Sequence, residues 1–135
     1  MPGFLTDAHM SPKVAVQVQA KRRDCQIHCL RSWRGGRLLD AEDNEILIAA
    51  FEEGLTLITY DQRTIVPLVS QWMMEGRSHG GVVFIDEQSI LQEDIGGQVL
   101  ALVELWDSAN TDAWTVRIIC LRRARARGDS GHNAS

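Results

Sequence analysis

At 135 residues, with 44% hydrophobic and 24% charged positions and a formal net charge of −4, the chain has the length of one domain and enough apolar content to bury a core without disulfides or a structural metal. The acidic balance excludes a protein that coats nucleic acid over its whole surface. Any contact with phosphate must be local, as at Arg122, Arg123, Arg125 and Arg127 near the C-terminus.

Short apolar runs alternate with longer periodic segments, the pattern of an α/β domain with a mostly parallel central sheet flanked by helices. GFLT, ending at Asp7, is the first strand. A helix follows over SPKVAVQVQAKRRD, with Ser11 as N-cap and Pro12 in the first helical position. Val14, Val16 and Val18 alternate as a strand would, but the segment's length and its Lys21-Arg22-Arg23 ending favour the helix. CQIHCL is the second strand and RSWRGGRLLD a glycine-containing loop. AEDNEILIAAFEEG is the clearest helix, with Asp40 able to cap it, Ile46, Leu47, Ala50 and Phe51 on one apolar face, and Gly54 at the left-handed position that ends it. LTLIT, the third strand, stops at Tyr60-Asp61. RTIVPLVSQWMMEG is helical, with Pro67 marking a kink or a late start, and GVVFI before Asp86 is the fourth strand. GQVLALVELWD is a helix apolar nearly all round; unless the closing strand AWTVRIICL and another helix cover it, its excess surface predicts a homodimer. The domain is expected to span residues 1–121, and 122–135 to be an Arg-rich disordered tail.

Cys25, Cys29 and Cys120 lie inside apolar runs, and a lone C-x3-C is a poor zinc signature, so reduced core thiols are expected. The start MPGFLTDAHM is unlike a leader, and no apolar run approaches the roughly 18 residues of a membrane span. A cytoplasmic protein without membrane contact is expected.

In a parallel sheet the carboxyl ends of the strands share one edge, where ligand chemistry collects. Asp7, Asp61 and Asp86 follow strands, and Asp43 lies in the first turn of the helix leading into the third strand. Grouped carboxylates repel unless a cation sits between them, and Mg²⁺ or Mn²⁺ prefers oxygen ligands. Each acid also has a structural role open to it. Asp43 and Glu42 can complement the helix dipole, and Asp7 and Asp61 can form turns. His9 and His28 read as structural. In the loop RSWRGGRLLD, Arg31, Arg34 and Arg37 could meet phosphates, while Trp33 could stack on a base or pack down on the helix.

FLTDAHMSP followed by LDAEDNEILIAAFEEGLTLITYDQR resembles the PIN-domain ribonucleases, especially the short PIN-like relatives of VapC-type toxins. In that family a first strand ends in an acid, a D-x-x-I-x-x-x-A segment supplies another, and a strand ending T-x-D supplies a third. Asp7, Asp43 with Ile46 and Ala50, and Asp61 after Thr59 stand at those positions, within a similarity running from about Phe4 to Ile85. The resemblance implies a PIN-like three-layer fold and an endoribonuclease in which Asp7, Asp43 and Asp61 hold Mg²⁺ or Mn²⁺. It further implies the toxin half of a toxin–antitoxin pair, with RNA as substrate and a cognate antitoxin as partner. Trp33, Arg34, Arg37 and Arg63 would contact the RNA. The chain departs from the family in lacking a further helix acid, in reading Asp7-Ala8-His9-Met10 for D-E-N-L, and in placing Arg63 where D-x-D-F has its second acid. Those departures define the alternative, a PIN-like module that binds nucleic acid or protein with weakened catalysis. A phosphoacceptor receiver domain also groups acids at strand ends, but it needs a lysine near the last strands, and Lys13 and Lys21 both lie early.

Overall fold

Runs of four or five consecutive buried residues form the central strands, as expected where both faces of a parallel sheet are covered. The computed structural model describes residues 3–115 and 117–124. In chain order these give β1 (Gly3–Thr6), α1 (Pro12–Lys21), β2 (Gln26–Cys29), a 3₁₀ turn (Trp33–Gly36), α2 (Asp43–Glu52), β3 (Leu55–Thr59), α3 (Gln62–Met74), β4 (Val82–Ile85), α4 (Ile95–Ala109) and β5 (Ile118–Leu121). The five strands lie in the order β2-β1-β3-β4-β5, and every pairing is parallel. Helices cover both faces, so the chain is a three-layer α/β domain.

Alternate strand residues divide the core in two. Phe4, Ile27, Ile58, Val83 and Leu121 pack with α1 and α4, and Leu5, Leu57, Val82 and Phe84 pack with α2 and α3. The steps β1 to β2 and β4 to β5 run in opposite directions across the sheet, yet both crossover helices lie on one face. The two connections therefore have opposite hands, one of them the uncommon left-handed form. Placing α4 beside α1 leaves the other face of β5 thinly covered. Ile118 is 40% exposed, and Cys120 is exposed rather than a core thiol. Cys25 and Cys29 are buried as expected, and burial pushes the Cys25 thiol up to about 12.

Local signals set most boundaries. The Ser11 hydroxyl caps α1 at Lys13 N, Pro12 occupies the first helical position, and Gly54 closes α2 with φ of 71°. Three expectations need correcting. The residue preceding α2 is Glu42, which makes no side-chain cap, and Asp40 stands exposed two positions earlier. Helix α3 runs unbroken through Pro67, whose exposed ring forfeits one backbone bond to the preceding turn. The closing strand is only Ile118–Leu121, because Trp114 turns into the core and donates its Nε1–H to the Ala109 carbonyl at 3.0 Å.

The apolar surface of α4 is consumed within the chain. Val99, Leu102, Val103, Leu105 and Trp106 are buried and Leu100 alone of that set is exposed, so α4 supplies no ground for a homodimer. Among the described residues, no helix is long and apolar enough to cross a membrane. The tail expected from 122 begins inside the described residues, and 125–135 lie outside them.

Candidate functional site

Strand β1 leads outward to β2 while β3 lies on its other side, so the chain reverses direction between β1 and β3, the place where open parallel sheets bind ligands. Asp7 is the first residue beyond β1, and its N–H donates to the Ile58 carbonyl at 2.9 Å. The register Thr6↔Ile58 brings Thr59 alongside it. The fully buried Thr59 hydroxyl donates to Asp7 Oδ2 at 2.7 Å and accepts the Asp61 N–H at 3.0 Å. One hydroxyl thus ties together two of the three acids.

Asp61 is the N-cap of α3, its Oδ1 accepting Thr64 N–H at 3.1 Å and its Oδ2 the Thr64 hydroxyl. Those bonds from Thr64 hold the Asp61 carboxyl below its ordinary range, against the effect of burial. Asp43, the first residue of α2, is shifted the other way. Burial raises its carboxyl, and the negative charges of Asp61, Asp7 and Glu42 raise it further, while the Thr64 hydroxyl opposes them. Asp7, Asp43 and Asp61, from three separate elements, therefore share one electrostatic neighbourhood.

Between β1 and β3 a small cleft of about 160 Å³ is lined by Asp7, His9, Met10, Tyr60, Asp61 and Gln92. Tyr60 is its fixed wall. The phenol donates to the Ile90 carbonyl at 2.9 Å and approaches that of Leu91 at 3.3 Å, and burial, then the charges of Glu87, Asp94 and Glu93, push it up to about 12. Tyr60 thereby anchors the β4–α4 segment over the site.

Three carboxylates from separate elements, two of which raise the proton affinity of the third, Asp43, are the donor set an oxygen-liganded divalent cation requires, and in kind they fit Mg²⁺ or Mn²⁺. As they stand, however, no group of three His, Cys, Asp or Glu among the described residues is close enough together to hold a metal ion. The hydrogen bonds explain this. Asp7 is turned to Thr59 and to Ala8 N–H at 2.6 Å, and Asp61 is turned to Thr64. Each carboxylate oxygen retains a second lone pair.

The other residues singled out from the sequence fall elsewhere. Trp33 is 5% exposed among Leu30, Leu47 and the α2/α3 core, the packed-down alternative. Arg34 lies over its ring, 4.6 Å from the centroid, and donates its Nε–H to Glu53 at 2.9 Å. Glu53 ends α2, about 15 Å from the helix start that carries Asp43. Arg37 donates to the Arg34 carbonyl at 3.0 Å. Arg31 is the arginine of that loop that reaches the acidic edge, through the Ala8 carbonyl at 2.8 Å. Arg63 lines a second, larger cleft between the ends of β3 and β4. Sequence reasoning passed over Thr64 and Tyr60. A hydroxyl three residues after a capping acid could have flagged Thr64, whereas nothing local flags Tyr60.

Comparison with family models, with curated proteins and with solved structures finds no match for this chain.

Proposed function

We propose that the chain is a PIN-like, Mg²⁺- or Mn²⁺-dependent endoribonuclease. The observation that carries the reading is the electrostatic action of Asp7 and Asp61 on Asp43 at the edge where β1 and β3 diverge. Asp7, Asp43 and Asp61 would hold the cation. When bound, such a cation supplies water activation and neutralisation of charge at a phosphodiester. The chain's own residues prepare that edge. Thr59 fixes the Asp7 carboxylate relative to the start of α3, Thr64 orients Asp61, and Tyr60 with the β4–α4 segment walls the cleft. RNA as the substrate, and the toxin half of a toxin–antitoxin pair as the biological role, rest on the family resemblance.

Calorimetric titration of Mn²⁺ and cleavage of a single-stranded RNA test the reading together. Wild type should bind and cleave, and Asp7→Asn and Asp61→Asn should each weaken binding and lower cleavage by roughly a hundredfold or more. Unchanged Mn²⁺ affinity in Asp61→Asn sinks the site assignment. Growth arrest on expression, relieved by Asp7→Asn, tests the toxin role. A second reading, a nucleic-acid-binding or protein-binding module with weakened catalysis, is favoured by two observations: Thr64 engages both Asp61 oxygens, and Arg63 occupies an acid's position. RNA binding without cleavage at any Mn²⁺ concentration would select it.

A further inference from the structure

On the far side of Tyr60 from Asp7, a cleft of about 360 Å³ opens between the ends of β3 and β4, with Tyr60, Arg63, Ile85, Asp86, Glu87 and Gln88 among its lining. That volume is within the range of small-ligand sites. The cleft holds charges of both signs. Arg22, Arg34, Arg117 and Arg123 each pair with a carboxylate at 3.0 Å or closer, and Arg122 approaches Asp86 Oδ2 at 3.7 Å. Arg63 shares a cleft with Asp86 and Glu87 and forms no ion pair with either among the described residues. Opposite charges thus line one cleft without closing on each other, which leaves room for a third group between them.

The remaining valences say what that group offers. Arg63 has five N–H donors and needs acceptors. Asp86 Oδ1 takes Gln88 N–H at 3.0 Å and Glu87 Oε2 takes the Gln92 side-chain amide at 3.0 Å, which leaves Glu87 Oε1 without a donor among the described residues. A ligand bridging the cleft must present paired acceptors on one edge and donors on the adjacent one. Guanine does so, with O6 and N7 for an arginine fork and N1–H and N2–H₂ for a carboxylate. Adenine turns an amino donor toward the arginine in place of O6; uracil separates its two carbonyls by N3–H, and cytosine offers O2 and N3 to an arginine but only its single amino group, in place of guanine's paired N1–H and N2–H₂, to a carboxylate. The Tyr60 ring, unable to swing away while its hydroxyl is tied to Ile90 and Leu91, gives the base a face to stack on, and Ile85 adds apolar contact.

We propose that the β3–β4 cleft is a guanine-binding subsite, read by Arg63 and Glu87 against the Tyr60 ring. Base binding in this cleft does not require a metal. Its use in choosing the nucleotide beside the scissile phosphate of a single-stranded RNA rests on the ribonuclease reading.

The test is titration of the full chain, in EDTA, with guanosine, adenosine, cytidine and uridine 5′-monophosphates, followed by backbone amide NMR. The guanosine nucleotide should shift amides of residues 60–63 and 85–88 and bind roughly tenfold more tightly than the other three, the low end of what a bidentate arginine–guanine pair supplies. Arg63→Ala and Glu87→Gln, both at exposed positions, should each remove that preference while leaving the rest of the spectrum unchanged. Equal binding of all four nucleotides would mean a phosphate contact only and would overturn the proposal, as would shifts confined to other residues or an unaltered preference in Arg63→Ala. Because no metal is present, failure here leaves the ribonuclease reading to its own test. Loss of Mn²⁺ binding or cleavage there leaves the guanine preference standing.

Discussion

The loop between β2 and α2 and the edge formed by the ends of β1, β3 and β4 draw on the same residue types, arginines and acids around one aromatic ring, and use them in opposite ways. In the loop the arginines and the ring are absorbed by the fold. Arg34 is committed to Glu53 and to the Trp33 ring, Arg37 to the Arg34 carbonyl and Arg31 to the Ala8 carbonyl, while Trp33 itself is core. At the strand ends Asp61 and Asp7 raise the Asp43 carboxyl, and Arg63 shares a cleft with two carboxylates without pairing to either among the described residues. Partnered charge contributes to stability and has little left for a ligand. Charge left uncompensated on a built edge marks the place where a ligand would contribute most.

The sharpest way to break this contrast is Trp33→Ala. If Trp33 is core, its removal should cost about 3–5 kcal/mol in denaturant unfolding, and Trp33→Phe should leave RNA binding intact. A cost below about 1 kcal/mol would return the ring to the surface and reopen its role as a stacking platform. Next in size is Thr59→Val, which strips the hydroxyl from between Asp7 and Asp61 without changing shape. It should cost about 1–3 kcal/mol and weaken Mn²⁺ binding, because two partly buried partners lose their bond at once. Full stability together with unchanged Mn²⁺ affinity would show that Thr59 does not organise the acids.

His79 supplies the pH test. It is 2% exposed, accepts the Gly81 N–H on Nδ1 at 3.0 Å, and is held below its ordinary value of 6.5 by burial. The unfolded chain then takes up the proton first. Stability is complete above 6.5 and declines as the pH falls from there toward the depressed folded value. His79→Gln should flatten that decline, and a parallel curve for the variant would mean that the loss arises elsewhere.

Asp43→Asn should act in the opposite sense to an ordinary site mutation. The folded carboxyl is raised, so its charge is unfavourable at neutral pH and is relieved as acid protonates it on the way down toward 3.8. In EDTA the variant should melt a degree or two higher, the helix dipole offsetting about 0.3–1 kcal/mol of the gain. A lower melting temperature would mean that the charge is already compensated. The smallest effect belongs to Arg34→Ala. An exposed pair of this kind contributes about 0–1 kcal/mol, and Arg34→Ala should leave the salt dependence of RNA binding unmoved.

Much of this molecule was legible in the sequence because the signals are short-ranged. The apolar runs Gly3–Thr6 and Leu55–Thr59 are strands to the residue, Ser11 and Pro12 start α1, and Gly54 ends α2. Each depends on backbone and side-chain chemistry within one turn or one strand. The acids at strand ends were legible for the same reason, since a parallel sheet sends them all to one edge. Tertiary packing alone decided the rest. The apolar content of α4 does not say whether α1 or a second subunit covers it. No local pattern tells that Arg34 meets Glu53 or that Arg123 meets Asp94, partners 19 and 29 residues apart. The same holds for the Thr59 hydroxyl, which reaches Asp7 across 52 residues only because β1 lies beside β3 in that register. Periodicity sets which residues turn inward; strand order and the face each helix takes, which determine what they meet there, emerge only when the layers pack.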